Sequence, residues 1–467
     1  MPRERLRRTA PLARFVARAT GEAALTALRR RLREERSVES HLRAAERYAQ
    51  LFGESKGALM KAAQMFSYAA IRFAVPLELQ TIYQSAFERL LDDAPPMAPA
   101  LARAVVEHEL GERLDAAFAA FEPEPLAAAS IGQVHAARLH DGREVAVKVQ
   151  YPGVAEAIRA DLANAELLAS FLTFAIGAMF PRGQRLDLRN AAREIGARIE
   201  EELDYQLEAS RQSGFAEHYR GHPFIRVPNV IDELSTPRVL TQELMRGLSW
   251  KEALTAEQAL RDQWAEAIHR FLYGSMYRLQ RLNADPHPGN FLFHDDGSVT
   301  CLDFGSVKQF EVEHALMLRA IFRECLRNDV LGTWRASVEA GAWSSSDPVT
   351  PEEAFAYWHG DNALVWASGR FVATPGYVAK GIARRYSPIG PSSNALRHLR
   401  LPPELALMVR IEIALTSLIG RLRAGNDWAS FAAEYCEDAE PVTEMGKRER
   451  AFFDRREKER VAEAEAR

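Results

Sequence analysis

The stretch from Leu282 to Ser306, LNADPHPGNFLFHDDGSVTCLDFGS, contains residue types that can transfer a phosphoryl group. Asp285 and Asn290 are five positions apart, the interval of the catalytic loop of protein kinases, and Asp303 follows thirteen positions after Asn290. A carboxylate and an amide oxygen held together suit Mg²⁺, which prefers oxygen ligands. A second carboxylate nearby could orient an attacking hydroxyl or water. The stretch therefore predicts a phosphoryl-transfer site, and the alternative is a polar loop, a hairpin and a second turn without chemistry.

The predicted metal pair depends on a hairpin. NFLF and VTCLD predict two short strands around the turn at 295–297, because Asp-Gly between apolar runs favours a hairpin. This hairpin would place Asp303 beside Asn290.

A lysine upstream could bind phosphates at the same site. Lys148 lies in REVAVKVQ, which follows VHAARL and the turn HDG and predicts the second strand of another hairpin. Strand alternation would place Lys148 on the face opposite Val145 and Val147. A lone lysine in a strand is usually solvent-facing. Here a turn of small residues precedes the hairpin, where backbone N–H groups could approach phosphates, and the later Asp285 motif favours a phosphate-binding lysine.

Such a lysine requires a carboxylate partner on a helix. The helical run at 190–212 offers Glu202, Asp204 and Glu208. Asp204 and Glu208 would share a helix face, whereas Glu202 would lie about 200° from Asp204 unless the helix kinks or ends nearby. A solvated acidic face is the alternative interpretation of this run.

The elements that must position these residues divide the chain into three regions. Residues 1–118 predict helices throughout, residues 119–247 predict two strand pairs separated by helices, and residues 248–467 predict helices apart from the catalytic stretch. We therefore predict an α+β fold with two lobes: a small sheet with a helical insert, then a larger helical lobe, after a helical N-terminal extension.

Composition favours a chain in a reducing compartment that does not span a membrane. Cys301, Cys325 and Cys436 have no disulfide or metal spacing. The longest uncharged run, LLASFLTFAIGAMF at 167–180, falls short of the roughly 20 residues that a span requires, which favours a buried helix. Residues 1–36 contain eleven arginines and four acidic residues, so nucleic acid, anionic lipid and solvation all remain open for this segment.

Together these motifs resemble the UbiB family of atypical kinase-like proteins, also called the ADCK or aarF-domain family. AAASIGQVH at 127–135 matches the Ala-rich loop of the family, Glu202-Leu203-Asp204 matches its E-x-D element, and DPHPGN at 285–290 matches its catalytic loop. The resemblance spans roughly residues 53–308. It implies an atypical protein-kinase-like bilobal fold with a helical N-terminal extension and a helical C-terminal region.

The resemblance also implies a role for each matched residue. It implies that Asp285 is the catalytic carboxylate, that Asn290 and Asp303 bind Mg²⁺, and that Lys148 binds phosphates and pairs with Glu208. It further implies that ATP is bound by the Ala-rich loop, by the strand and hinge RVLTQELMRG, and by the E-x-D and K-x-G-Q elements. The residues concerned are Ala127, Ala128, Ala129, Ser130, Glu243, Met245, Glu202, Asp204, Lys61 and Gln64.

Two residues depart from the family pattern. The K-x-G-Q motif is present as Lys61-Ala62-Ala63-Gln64, with Ala63 in place of glycine. The histidine that precedes A-D-P-H-P-G-N in the family is Asn283 here, so a role that depends on an imidazole is lost. Neither departure affects a predicted nucleotide or metal ligand.

The residues after Gly305 favour a small acceptor over a peptide. Only SVKQFE separates Gly305 from a helical pattern, in which Leu316, Ala320 and Ile321 are predicted to lie on one side. The A-P-E sequence that completes the peptide-docking segment of protein kinases is absent. We therefore predict ATP and Mg²⁺ as cofactors and ATPase or small-molecule or lipid kinase activity. The alternatives are an aminoglycoside- or choline-kinase-like phosphotransferase and a nucleotide-gated lipid-binding protein with little turnover.

The resemblance links the chain to ubiquinone or isoprenoid-lipid metabolism. It implies ATP or ADP and an isoprenoid or quinone-precursor lipid as partners, with no nucleic acid. The expected location is the cytoplasm, without a transmembrane segment. Peripheral contact with the inner face of a membrane would use the arginine-rich N-terminal helix, with about 1 kcal/mol from each basic residue near the surface. A solvated helix is the alternative.

Overall fold

The computed structural model of the protein describes residues 97–129, 131–162, 200–360, 366, 368–385, 390–400 and 403–465. The predictions for Lys61, Gln64, Ser130, the arginine-rich segment 1–36 and the uncharged run 167–180 lie outside the described residues. These stay predictions, and so does the division of the chain into three regions.

The described residues form two compact units. The first takes its residues from 1–114, 121–135 and 148–203, and the second from 115–120, 136–147 and 204–467.

The elements mix helices and strands, as predicted. The helices are α1 Pro99–Leu110, α2 Leu114–Ala117, α3 Val154–Leu162, α4 Tyr205–His218, α5 Trp250–Ala253, α6 Gln258–Leu279, α7 Val312–Leu326, α8 Val330–Glu339, α9 Pro351–Trp358, α10 Pro375–Arg385, α11 Ser393–His398, α12 Pro403–Leu422, α13 Trp428–Glu437 and α14 Glu444–Glu465. The strands are β1 Ala120–Phe121, β2 Ala127–Ala129, β3 Gly132–Arg138, β4 Glu144–Gln150, β5 Ile225–Arg226, β6 Val239–Glu243, β7 Arg281–Asn283, β8 Phe291–Phe293, β9 Val299–Cys301, β10 Val307–Gln309, β11 Phe371–Val372 and β12 Gly425–Asn426.

Four sheets connect these strands in the described part of the chain. In the largest, the order is β1-β3-β4-β6, and β2 pairs with β3. A second sheet has the order β5-β9-β8, and β10 pairs with β7 and β11 with β12. The two strands predicted between 225 and 245 are therefore present but join different sheets.

Both predicted hairpins are confirmed. Gly142 turns the chain between β3 and β4 with φ 91°, and Gly297 turns it between β8 and β9 with φ 79°. Glycine adopts these positive φ values without the steric penalty of a Cβ atom. In the second hairpin, Phe291 pairs with Cys301 and Phe293 with Val299.

The core of the second unit is built around α6, which packs against α12, α13, α14 and β7. Its buried apolar side chains include Trp264, Ile268, Phe271 and Met276. Burying a large apolar side chain contributes about 1.5–3 kcal/mol. This core places β7 and the residues that follow it, which include the predicted catalytic loop.

The region after residue 250 differs from the prediction in two details. It is not helical throughout outside the catalytic stretch, because β11 and β12 pair there as antiparallel strands. In α7, Ile321 is buried, whereas Leu316 is 55% exposed. The two residues lie about 140° apart around the helix, so the predicted common face was wrong.

All three cysteines are free and buried. Burial raises the pKa of Cys325 to about 12 and that of Cys436 to about 11. Both are therefore neutral thiols at physiological pH. Among the described residues, no helix combines the length and the apolar character needed to cross a membrane.

Candidate functional site

The loop that begins at Asp285 is closed by its own backbone. The His287 N–H donates to the Asp285 carbonyl at 2.7 Å, and the Asn290 N–H donates to the His287 carbonyl at 2.9 Å. His287 Nδ1 accepts from the Gly289 N–H at 3.0 Å at the start of the 3₁₀ turn Pro288–Asn290. The order of Pro, His and Gly thus fixes a tight loop between Asp285 and Asn290.

The side chain of Asn290 is oriented by this loop. Its Nδ2 donates to the Asp285 carbonyl at 3.0 Å. Since the amide nitrogen is used in this way, the amide oxygen Oδ1 is the atom of Asn290 that suits a cation.

Asp303 lies next to the loop because of the β8–β9 hairpin. The Leu302 N–H donates to the Asn290 carbonyl at 2.9 Å, which continues the ladder of the hairpin by one residue. Asp303 Oδ1 accepts from the Gly305 N–H at 3.0 Å, so the carboxylate has a defined direction. The hairpin thus bonds Asn290 to the residue before Asp303, and the pairing of the two side chains at one metal site stays a prediction.

Glu208 comes to the same segment from α4. Its side chain is buried at 3% exposure, and Oε1 lies 3.5 Å from the Phe304 backbone nitrogen. A Cβ atom added to Gly305 would lie 3.6 Å from Glu208 Oε2 and 3.5 Å from Asp303 Oδ1. Within the second unit, Glu208, Asp303 and Gly305 are therefore neighbours.

The E-x-D element does not lie within one continuous helix. α4 begins at Tyr205, and Asp204 is its N-cap, accepting from the N–H groups of Gln206 at 3.0 Å and Leu207 at 3.3 Å. Glu202 lies in the turn before this cap. On one continuous helix, Glu202 would lie about 200° from Asp204. Because Glu202 precedes the start of α4, this angle does not apply to it.

In the first unit, the Ala-rich segment is a strand rather than a turn. Ala127, Ala128 and Ala129 form β2, which pairs antiparallel with β3 so that Ala129 lies opposite Gly132. β2 and β3, which follow one another in the sequence, form a hairpin. Ala127 and Ala128 are exposed. Alanine is unstrained in an extended strand, so its Cβ atoms do not distort this backbone.

A buried pair of side chains fixes the base of that hairpin. Gln133 Oε1 accepts from the Met97 N–H at 2.8 Å, and Gln133 Nε2 lies 2.8 Å from His135 Nε2. His135 Nδ1 is 2.8 Å from the Glu122 carbonyl, which can only accept, so Nδ1 carries the proton. Burial lowers the pKa of His135, although the bond to Glu122 opposes the change. The neutral ring then accepts from Gln133.

Lys148 lies on β4, so its predicted position in a strand is confirmed. Val147 and Val149 on either side of it are completely buried, whereas Lys148 is half-buried. A lysine in this position keeps its apolar stem against the strand while its ammonium group reaches a more polar region.

The predicted adenine hinge follows β6 in the second unit. The Glu243 N–H donates to the Asn229 carbonyl at 2.9 Å, and its carboxylate accepts from the Asn229 side chain at 3.0 Å. The Leu244 N–H donates to the Glu144 carbonyl at 3.1 Å. Met245 then lies in an irregular, half-buried segment.

Comparisons with known proteins show the family of this chain. A family model described as the ABC1 atypical kinase-like domain matches residues 89–336, which is more than half of the chain. The chain belongs to the ABC1 atypical kinase-like family. The match includes every predicted site residue except Lys61 and Gln64, which precede it.

Two curated relatives and one solved structure are similar to this family member. The atypical kinase COQ8B, mitochondrial, of Rattus norvegicus is 36% identical over 270 residues, 58% of this chain and 49% of the relative. The atypical kinase COQ8, mitochondrial, of Saccharomyces cerevisiae is 29% identical over 68% of this chain and 61% of the relative. The structure of the Rv3197–erythromycin complex from Mycobacterium tuberculosis is 28% identical with a TM-score of 0.61, covering 85% of this chain and 97% of that one. The chain therefore spans only half to three-fifths of the length of these curated relatives.

The donor set of this family member fits Mg²⁺. Among the described residues, no group of three or more His, Cys, Asp and Glu side chains could hold a metal ion by itself. Magnesium is usually held by one or two carboxylates together with substrate phosphates and water rather than by an all-protein cage. Asp303 with the Asn290 amide oxygen is a set of this kind.

Sequence reasoning missed two residues that hold this segment. Arg211 Nη1 donates to the Gly305 carbonyl at 2.8 Å, and Asn283 Nδ2 donates to the Asp303 carbonyl at 2.7 Å. Arg211 follows Glu208 by three positions on α4, so a shared helix face was the available signal. Asn283 was noted only as a departure from the family.

Proposed function

We propose that the protein binds ATP with Mg²⁺ and transfers the terminal phosphoryl group to water, to a small molecule or to a lipid. The observation that supports this proposal is the hydrogen-bonded arrangement of the second unit, in which Asn290 is bonded to Asp285 and the β8–β9 hairpin brings Asp303 alongside. Such an arrangement suits phosphoryl transfer, where positioning and charge stabilisation supply most of the catalysis.

Each side chain has a defined task in this proposal. Asp285 orients the attacking oxygen, and Asn290 Oδ1 with the Asp303 carboxylate holds Mg²⁺. When bound, the ion neutralises charge on the phosphate oxygens. Lys148 binds the phosphates, and Glu208 is its proposed carboxylate partner.

The nucleotide is proposed to lie against the Ala-rich hairpin and the hinge. Ala127, Ala128 and Ala129 form β2, which pairs with β3 alone among the described strands, so phosphates could be directed toward its other edge. Ser130, outside the described residues, is proposed to bind them as well. At the hinge, the N–H of Glu243 is already used by Asn229, so Glu243 can contribute only its carbonyl. The backbone of Met245 is therefore the better candidate to bind adenine.

The same proposal extends to the elements whose roles came from resemblance. Glu202 and Asp204 are proposed to lie near the nucleotide, where the Asp204 carboxylate also caps α4. Lys61 and Gln64 are proposed to restrict the entry of large acceptors.

The acceptor is proposed to be small or lipidic rather than a peptide. α7 begins at Val312, seven residues after Gly305, which leaves little chain for a peptide-docking segment. The mitochondrial atypical kinases similar to this chain support a place in ubiquinone or isoprenoid-lipid metabolism. We further propose a cytoplasmic protein that contacts the inner face of a membrane peripherally through its arginine-rich N-terminal segment.

The test is ATP hydrolysis by the purified full chain, with and without liposomes that contain anionic lipid and a quinone precursor. We expect slow, Mg²⁺-dependent phosphate release that the liposomes stimulate and that Asp285→Asn strongly reduces. A panel of peptides incubated with γ-labelled ATP should remain unlabelled. Strong peptide labelling that is lost in Asp285→Asn would make the protein a protein kinase instead. Nucleotide-dependent lipid extraction without phosphate release would favour a lipid-binding protein that turns over little.

A further inference from the structure

Asn283 links the loop of Asp285 to the segment of Asp303. It is the last residue of β7 and lies opposite Val307 of β10. The strand that leads into the Asp285 loop therefore pairs, at this position, with the strand that follows the Asp303 segment. Its side chain is buried, with 4% of the residue exposed. A buried amide must find partners for both its N–H and its C=O groups.

Both groups of the Asn283 amide are bonded to the backbone of a proposed site residue. Nδ2 donates to the Asp303 carbonyl at 2.7 Å, and Oδ1 accepts from the Asp285 N–H at 3.0 Å. The amide therefore spans the two segments that carry the catalytic carboxylate and the metal carboxylate. It acts on backbone atoms, not on the carboxylate oxygens themselves.

The surrounding bonds show that this link is part of a continuous frame. The Ala284 N–H donates to the Ser306 carbonyl at 2.8 Å, next to the Asn283 link. From the other side, Arg211 holds the Gly305 carbonyl. The carbonyls of Asp303 and Gly305 are thus held by two different side chains, one on β7 and one on α4.

We propose that Asn283 is a positioning residue that fixes the distance between Asp285 and Asp303, so that one side chain sets the geometry of both attack and metal binding. This inference rests on the proposed function, because it assigns no new ligand and acts through the two aspartates. The position requires a donor to the Asp303 carbonyl and an acceptor for the Asp285 N–H. An amide presents one of each at fixed positions. The family histidine that Asn283 replaces can also present one donor and one acceptor, from its two ring nitrogens.

The test compares three substitutions at this position by calorimetric titration of Mg²⁺ and ADP into the full chain. Asn283→Leu removes both the donor and the acceptor. Asn283→Asp keeps the acceptor but replaces the donor by a second acceptor that faces the Asp303 carbonyl. Asn283→His keeps one donor and one acceptor, now on the two ring nitrogens. We expect the Mg²⁺ concentration for half-saturation to rise about tenfold in the leucine variant, which is the order expected for the loss of a buried hydrogen bond. In the aspartate variant this concentration should rise at least as much. The histidine variant should stay within about threefold of the natural protein.

A matched control separates positioning from loss of stability. The half-buried Asn426, on β12 of the same unit, donates its Nδ2 to the Asp262 carbonyl at 3.0 Å, and neither β12 nor Asp262 carries a proposed site role. Asn426→Leu therefore removes a comparable amide bond and should lower the thermal midpoint without changing the Mg²⁺ requirement. Folded leucine and aspartate variants at position 283 with natural Mg²⁺ affinity would overturn the proposal, as would a histidine variant as impaired as the leucine variant.

The same titration distinguishes this inference from the proposed function. Asp303→Asn should weaken Mg²⁺-dependent nucleotide binding whatever residue stands at position 283. If Asp303→Asn has no effect, the metal site is wrong and the positioning role is wrong with it. If Asp303→Asn has a strong effect and the position 283 variants have none, only the positioning role is rejected.

Discussion

Asn290 donates its side-chain N–H to the backbone carbonyl of Asp285 at 3.0 Å. The residue proposed to hold the metal is thereby fixed to the residue proposed to orient the attacking oxygen. The bond uses the amide nitrogen of Asn290 and only the backbone of Asp285, so the amide oxygen and the carboxylate keep their capacity for a ligand. The five-residue interval in the sequence therefore has a structural reason: it closes one tight loop.

Asp285→Asn should separate turnover from binding. The substitution keeps the size of the side chain and the backbone contacts of the loop, but an amide cannot accept a proton from the attacking oxygen. We expect turnover to fall by about 10²–10⁴ with little change in nucleotide affinity. Steady-state phosphate release and ADP titration measure the two quantities. The control is Asp295→Asn, on the exposed tip of the β8–β9 hairpin. Equal rates of phosphate release by the Asp285→Asn and Asp295→Asn variants would show that Asp285 does not take part in the reaction.

Asp303→Asn should weaken Mg²⁺-dependent nucleotide binding without unfolding the chain. Its Oδ1 bond to the Gly305 N–H can be kept by an amide oxygen, whereas the negative charge that attracts the cation is lost. Nucleotide affinity measured with and without Mg²⁺ gives the effect directly. The control is Asp454→Asn on the exposed face of α14. Undiminished Mg²⁺-nucleotide affinity in a folded Asp303→Asn variant would mean that the metal lies elsewhere.

The sequence predicted those parts of the site that depend on local geometry. The turn at Gly297 sets the pairing of β8 with β9, and the same hairpin bonds the Leu302 N–H, one residue before Asp303, to the Asn290 carbonyl. The end of the helix at Asp204 was also within reach, because aspartate is a preferred N-cap. A single helix through 190–212 is therefore not what the structure has at this point, since a new helix begins after Asp204.

The contacts that were missed join distant parts of the chain. Arg211 and Gly305 are 94 positions apart, and no periodicity in the sequence relates α4 to the residues after β9. Asn283 and Asp303 are 20 positions apart, and their bond requires the β7–β10 pairing. Leu316 was predicted to lie on one apolar side of α7 but is exposed. Which apolar residues of a helix are buried depends on the elements that pack against it, and the sequence pattern alone does not identify these elements.

Acidification should destabilise the second unit through a buried histidine, His269, and a half-buried one, His218. Burial lowers the pKa of His269 to about 3, with a smaller contribution from Arg270, and burial likewise lowers that of His218 to about 4. A histidine with a depressed folded pKa contributes stability that is present above its unfolded value of about 6.5 and is lost as the pH falls below it, because only the unfolded state then takes up the proton. Each such histidine adds a slope of about 1.4 kcal/mol per pH unit.

His269→Phe isolates this effect at one position. Among the described residues, His269 Nδ1 has no hydrogen-bond partner, and the ring packs against Tyr273, Trp428 and Phe431. Phenylalanine should fit this apolar environment and remove one proton from the unfolding equilibrium. Urea unfolding at pH 5, 6 and 7 should give a shallower loss of stability in the variant than in the natural protein. The exposed His140→Phe is the control, and parallel slopes for His269→Phe and the natural protein would contradict the assignment.

Arg270→Met should destabilise the second unit more than any surface substitution. The guanidinium group is completely buried and donates to Glu266 at 2.8 Å, to Glu434 at 2.7 and 2.9 Å, and to Glu449 at 2.9 Å. These bonds tie α6 to α13 and α14. Without the arginine, buried carboxylates lose their counter-charge, which costs about 3–5 kcal/mol of unfolding free energy. Methionine keeps much of the side-chain volume, so the loss measures the charge and not a cavity.

The pH dependence of that loss tests its cause. Burial, opposed by Arg270, raises the pKa of Glu266, and removing the arginine should raise it further. A carboxyl group with a raised folded pKa contributes stability that is present below its unfolded value and lost as the pH rises through the folded one. The gap between Arg270→Met and the natural protein should therefore narrow in urea unfolding at pH 5 compared with pH 7. The control is Arg460→Met, which removes an exposed arginine on α14. It should leave the free energy of unfolding measurably unchanged at both pH 5 and pH 7. A gap that stays constant with pH would mean that packing, and not unpaired carboxylates, accounts for the loss.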